Sequence, residues 1–443
     1  MKITFVNHAS VKIASGNVCV LTDPWTEGPV FNNGWDLLVP TPLTKAEVMA
    51  GVTHIWVSHE HPDHFSPGYF SSIAAEYRDK IEVLFQKTRD RRVAKFLESK
   101  GFRLREAAPG EPLGLGGGVT GRIYPSDFYD SWIQITDGET NLVNLNDCDI
   151  TQAADLAKVR AITGGPDVLL SQYSYAAWKG GRENVAFRKA AAAQKLETVK
   201  TQIRALSPRK VIPFASMVYF SSVENSYLND SVNTPDDAAA AIREAGAEPI
   251  VLFPGDAWDT GTAYDNEPAL ARYRAAYAGL AQLPLRDPGK GKSFDELKES
   301  FDKYRKRVGE KNSLAFIGLA RRLPAMGAFR PVTIRLTDLN ETVEVGLVDG
   351  FKRSDAKQWD AAMHSNSLAM ILDQEFGYDT LTVNGRFEAT AEGFSKLTRS
   401  FAIGSLNAMG LSFGPSLMLQ ARIVAILMRR LRGVVRRLDR KAA

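Results

Sequence analysis

The stretch that most constrains this chain is Val57-Ser58-His59-Glu60-His61-Pro62-Asp63-His64, a His-x-His-x-Asp-His cluster lying directly after a run of β type. Only six histidines occur in the 443 residues, and three of them fall in this one loop. Residues 52–58 are rich in β-branched and aromatic side chains and predict a buried strand. Side chains of an extended chain alternate, so His59 and His61 point to the same side. Pro62 then turns the chain and can bring Asp63 and His64 to the same volume. Imidazole nitrogens beside a carboxylate suit zinc, iron or manganese. A plain polar loop offers no reason for imidazoles to crowd an acid, so the segment is expected to hold metal.

The length predicts two or three domains, drawn here as 1–262, 263–410 and 411–443. Hydrophobic content of 44% and charged content of 24% are those of an ordinary globular chain. Cys19 and Cys148 cannot make a disulfide framework. The N-terminus enters a strand-like run without an apolar signal core, and no apolar stretch approaches bilayer length. A cytoplasmic protein is therefore expected.

Residues 1–22 predict two or three short strands around the turn Ala14-Ser15-Gly16-Asn17, ending at Asp23-Pro24. Strand, metal loop, helix and strand follow from Thr53 to about Gln86, with Ser66 as helix cap. Further strands are expected near Val119–Tyr124, Ser131–Thr136, Asn141–Leu145, Asp167–Leu170, Lys210–Pro213 and Glu248–Leu252, with a long helix over Asn184–Leu206. This mixture of antiparallel strands and strand–helix alternation fits a β-sandwich flanked by helices. Beyond the turn-rich segment 287–292 the pattern predicts paired strands at Val332–Leu336 and Thr342–Leu347. A helix at Asn366–Glu375, a strand at Thr380–Phe387 and a helix at about 393–408 complete a smaller α+β unit.

A two-metal site needs a bridging carboxylate from a neighbouring strand end. Asp147 is preferred because it closely follows Leu142-Val143-Asn144-Leu145, whereas Asp149 is placed to cap the next helix. Cys148 is read as packing.

These residues resemble the metallo-β-lactamase superfamily, in which the His-x-His-x-Asp-His loop and a later bridging Asp recur. The resemblance implies a metallo-β-lactamase-like αββα sandwich of α/β class, followed by the α+β unit and a basic amphipathic helix. It also implies two divalent metal ions, with His59 and His61 on one, Asp63 and His64 on the other, and Asp147 between them. The superfamily normally supplies one further His before that Asp and another after it, and neither position holds an imidazole here. Asp127 is the expected replacement for the first, with Asp130 as the alternative. Glu224 could fill the second. The competing reading is that these acids cap turns and face water.

Asn7-His8-Ala9-Ser10, Leu21-Thr22-Asp23-Pro24-Trp25, Asp147-Cys148 and Pro213-Phe214-Ala215 further resemble the catalytic domain of the CMP-N-acetylneuraminate hydroxylases. That family implies oxygen chemistry on a nucleotide-linked sugar. Its Rieske cluster ligands have no counterpart here, so an external electron donor is expected and the sugar substrate is not carried over. His8, in the motif bearing the resemblance, is expected to act catalytically beside Asp63, as a supporting or substrate-binding group. A structural role is the alternative, and His54 and His364 are read as structural. The segment Gln172–Arg182, aromatic and basic with flexible glycines, suits a loop lining the small-molecule substrate.

Residues 417–438 interleave Ile423, Ile426, Leu427, Leu431, Val434, Val435 and Leu438 with arginines at near-helical spacing. This is the composition of an interfacial helix, or of a solvated terminal helix packed on its own domain. Peripheral contact with the inner membrane face is one expectation from it. Nucleic-acid binding is not expected, since no reader module accompanies the charge.

Three functions compete at this stage. A carboxylate-rich site favours iron or manganese over zinc and a di-iron oxygenase or hydroxylase. Two cations generating hydroxide would instead make a hydrolase of a phosphoester or amide. A degenerate fold kept for binding is the third, and the intact loop argues against it.

Overall fold

The computed structural model describes residues 1–126, 129–322, 327–408, 410–414 and 417. Two seven-stranded sheets face each other. The first runs, edge to edge, through Ala257–Asp259, Lys2–Asn7, Ser10–Ser15, Val18–Thr22, His54–Trp56, Glu82–Gln86 and Arg103–Ala107. Its first four strands are antiparallel, and from Val18–Thr22 onward pairing is parallel. The second sheet runs through Glu248–Pro249, Lys210–Phe214, Val168–Gln172, Asn141–Asn144, Asp130–Thr136, Val119–Ser126 and Leu113–Gly116.

Alternation explains how the layers form. Trp56 and Leu84 point between the sheets and join Ile133, Leu142 and Val168 in one core. Their neighbours Ile55, Val57, Val83 and Phe85 point the other way, against Phe70, Val93 and Leu97 of the outer helices Pro67–Ser72 and Arg92–Ser99. On the far side, helix Val185–Leu206 packs against Ala153–Thr163 and Pro235–Glu244. The expected helix–sheet–sheet–helix sandwich is therefore what the chain forms. The parallel strands deliver their C-terminal ends, and the loops after them, to one edge of the sandwich, where ligands bind in open α/β sheets.

Residues 293–408 build a second core around a five-stranded sheet ordered Gly350–Arg353, Glu341–Gly346, Val332–Leu336, Ala361–Met363, Glu388–Ala389. One element here differs from the sequence reading. The strand expected at Thr380–Phe387 is mainly a helix, Gly377–Asn384, closed by Gly385 at φ +64°. The β-branched Thr380, Thr382 and Val383 favour a strand, but Tyr378 and Leu381, three apart, bury together in this core. Packing overrides propensity. Among the described residues no helix is long and apolar enough to cross a membrane. Almost all of the basic segment 417–438 lies outside the described residues, as does Asp127.

Candidate metal centre

The loop leaves strand His54–Trp56 and doubles back at Pro62, with His64 and Phe65 both donating backbone N–H to the His61 carbonyl at 2.9 and 2.7 Å. The turn folds the four loop side chains inward. His59, Asp63 and His64 are all buried. Asp147 reaches the same point from the end of strand Asn141–Asn144, its approach set by Asn146 in the left-handed region.

Two groups of ligand atoms result, each lying within 4.8 Å: His8, Asp63 and His64, and His59, His64 and Asp147. His64 Nε2 is the common member, 3.2 Å from Asp63 Oδ2 and 3.3 Å from Asp147 Oδ2. His61 joins through His59, whose Nε2 faces His61 Nδ1 at 2.9 Å. Two ring nitrogens at that distance can share a proton or a cation, but not two lone pairs. His8 Nε2 stands 3.3 Å from Asp63 Oδ2, so the turn Asn7–Ser10 supplies an imidazole as well as the sequence resemblance. Asp130 Oδ1 lies 4.0 Å from His59 Nε2, bringing the alternative acid to the edge of the cluster.

Glu224 is not brought there. Its carboxylate accepts from Arg386 Nε at 2.7 Å. Arg386 is fully buried and also donates to the carbonyls of Asn32 and Pro288. Glu224 thus neutralises a cation that fastens the C-terminal part to the sandwich. Asp149 pairs with Lys195 at 2.5 Å instead of capping a helix. His54 and His364 stand outside the cluster, His364 capping helix Ser365–Asp373. Burial pushes the Cys148 thiol well above its usual pKa, which suits packing.

Asp23 is the residue the sequence reading missed. It follows strand Val18–Thr22 at φ +36°, fully buried. Its Oδ2 accepts from Ser58 Oγ at 2.7 Å and faces His64 Nδ1 at 2.9 Å, while Oδ1 accepts from the Ser58 backbone at 2.8 Å. A carboxylate on Nδ1 fixes the ring and leaves Nε2 to face Asp63 and Asp147. Gln172 similarly donates to Asp147 Oδ1 at 3.0 Å. The sequence signs were an Asp-Pro after a strand, which reads equally as a turn, and its place in one of the segments that carry the hydroxylase resemblance; neither gave Asp23 this role.

Electrostatics fits a metal. Burial, then the neighbouring His64 and His61, holds His59 well below the usual imidazole pKa, so it presents a neutral lone pair. For Asp63, burial opposes ionisation, but His64 and His8 outweigh it and hold the carboxyl well below its usual range. Burial likewise opposes charge on His64, and Asp63, Asp147 and Asp23 together outweigh it, raising the ring well above normal. Asp63 Oδ1 and His8 Nδ1 are buried without a hydrogen-bond partner. Unpartnered buried acceptors are costly, and a cation among these nitrogens and oxygens removes that cost.

With this geometry in place, comparison with known proteins is informative. Residues 2–113 match the family described as Beta-lactamase superfamily domain. The matched stretch contains the metal loop and six of the seven strands of the first sheet. The chain is 33% identical over 104 residues to the cytidine monophosphate-N-acetylneuraminic acid hydroxylase of Xenopus laevis, covering 24% of this chain and 17% of that protein. It is 23% identical over 287 residues to the Danio rerio protein of the same name, covering 60% and 47%. The chain thus matches less than half the length of either curated relative. Among solved structures, a possible metal-dependent hydrolase from Veillonella parvula is 16% identical with TM-score 0.45, covering 58% of this chain and 98% of that one. CmlA, a diiron β-hydroxylase from Streptomyces venezuelae, is 15% identical with TM-score 0.41, covering 58% and 53%.

Proposed function

We infer that the chain is a dinuclear metal enzyme of hydroxylase type. The observation that carries the reading is the ligand set: the carboxylates of Asp63, Asp147 and Asp130 stand among the imidazoles of His8, His59, His61 and His64. Oxygen ligands in that proportion favour iron over zinc, and the curated relatives bear a hydroxylase name. His59, His61 and Asp130 would hold one ion, and Asp63, His64 and His8 the other, with Asp147 between. Iron held by these residues would supply the capacity to reduce dioxygen, given an external electron donor.

The chain's own residues prepare the centre. Asp23 and Ser58 fix the His64 ring, Gln172 fixes Asp147, and Phe31 lies edge-on to His61 with ring centroids 5.7 Å apart. The His8 ring packs against Trp25 with centroids 5.4 Å apart and presents its Nε2 to Asp63. One observation favours a hydrolase instead: Glu224 stays with Arg386, so four imidazoles dominate and the site is softer than a fully carboxylate-substituted one. In that reading two cations would activate water against a phosphoester or amide.

The test is to load metal-free protein with ferrous iron anaerobically and then admit oxygen. Oxygen uptake well above that of free iron, with a changed iron absorption spectrum, is expected. Tight zinc retention with turnover of bis(p-nitrophenyl) phosphate, and no oxygen uptake, would replace the reading with the hydrolase.

A further inference from the structure

Two chambers of unlike character adjoin the metal centre. One, of about 670 Å³, lies between the metal loop, helix Arg92–Ser99 and the C-terminal helices Gly377–Asn384 and Ala391–Ala408. Phe65, Phe96, Phe376, Tyr378, Phe394 and Leu406 supply its apolar wall, with Glu60, Arg92 and Asp379 among the other lining residues. The other, of about 370 Å³, is more polar, setting Asp147, Asp149, Lys179 and Lys195 beside Phe31 and Tyr175, with Gln172, Tyr175 and Lys179 coming from the loop the sequence marked as substrate-lining. His61 and Asp130 line both. The metal cluster therefore stands where an apolar space meets a polar one, and the larger space has the volume of a small-ligand pocket.

The junction between the two parts of the chain holds the apolar chamber in shape. Arg92 pairs with Glu375 at 2.9 Å and lies 4.7 Å over the Phe376 ring, while buried Arg386 anchors the same helical region through Glu224. A wall of aromatic rings held open beside a charged centre is costly in water unless apolar matter fills it.

We propose that the site takes an amphiphilic small molecule, with its apolar arm in the chamber against Phe96, Phe376 and Phe394, its polar end in the recess at Gln172 and Lys179, and its reacting atoms at the cluster between. This substrate class rests on the metal-centre reading.

Calorimetric titration of the metal-loaded full chain with butanoate, octanoate and dodecanoate, below micelle formation, tests it. The carboxylate is constant through the series, so chain length reports the chamber alone. Affinity should rise roughly fourfold per methylene. Ala402→Trp and Thr380→Trp, which fill the chamber from two different helices, should flatten the series with metal content unchanged. Monododecanoylglycerol should bind at least tenfold tighter than methyl dodecanoate, through the polar recess. Equal binding of butanoate and dodecanoate, a series untouched by both substitutions in folded protein, or equal binding of the two esters overturns the proposal. Metal content is measured on the same samples. Metal retained without chain-length dependence removes this inference alone, whereas chain-length dependence in protein that takes up no metal removes the metal-centre reading.

Discussion

The loop cluster and the junction with the C-terminal part both bury charge, but they treat it differently. At the junction, each nitrogen of the Arg386 guanidinium has a partner in Glu224 or one of two carbonyls, and nearby Arg188 pairs with Asp230 and the carbonyls of Gly181 and Arg182. In the cluster, Asp63, Asp147 and four imidazoles crowd together with no Lys or Arg among them, and Asp63 Oδ1 and His8 Nδ1 lack partners. Closed networks hold a fold, whereas open ones wait for something that is not part of the chain. Buried charge alone therefore does not mark a functional site; here the mark is orphaned atoms within a crowd of imidazoles and carboxylates.

The largest effect separating the two regions should come from Arg386→Met. It removes the cation and leaves Glu224 and two carbonyls facing an apolar side chain, at a cost of about 3–5 kcal/mol. Urea unfolding should show the loss, while the folded protein keeps its metal-to-protein ratio. A variant of wild-type stability would mean that the junction is not held as the contacts indicate.

Asp23→Asn acts in the other region. Replacing one carboxylate oxygen with an amide nitrogen takes the acceptor away from His64 Nδ1 or Ser58 and frees the ring. Metal affinity should fall about 10–100-fold, up to about 2.7 kcal/mol, as read by competition with a chelating dye. Unchanged affinity would reduce Asp23 to a packing residue.

What the sequence made legible follows the same division. His59, His61, Asp63 and His64 could be read because their chemistry is concentrated in six residues, and Asp147 because it follows a clear strand. Period-two alternation around Trp56 and Leu84 made the sandwich readable as well. Asp23 was hidden because its partners lie 35 and 41 positions away. Glu224 was misplaced because the cation that claims it is 162 positions away, after a helix that reads locally as a strand. The apolar chamber has no local signature, since its walls come from segments some 300 residues apart that meet only in the folded chain.

The smallest expected effect is the one that sharpens the comparison most. Glu224→Gln keeps the shape of the side chain and can still accept from Arg386 Nε through its amide oxygen, so only the charge is lost. The stability cost should be about 1–2 kcal/mol, the difference between a charge-assisted and a neutral hydrogen bond. Metal affinity, measured by the same chelator competition, should not move. The sequence alone offered Glu224 as an acid after a strand where a ligand was wanting, against the reading that it caps a turn and faces water. If Glu224→Gln lowered metal affinity tenfold while leaving unfolding unaltered, Glu224 would belong to the cluster and the division between closed and open charge networks would fail where it is most exposed. If stability falls alone, the 2.7 Å contact with Arg386 accounts for this acid.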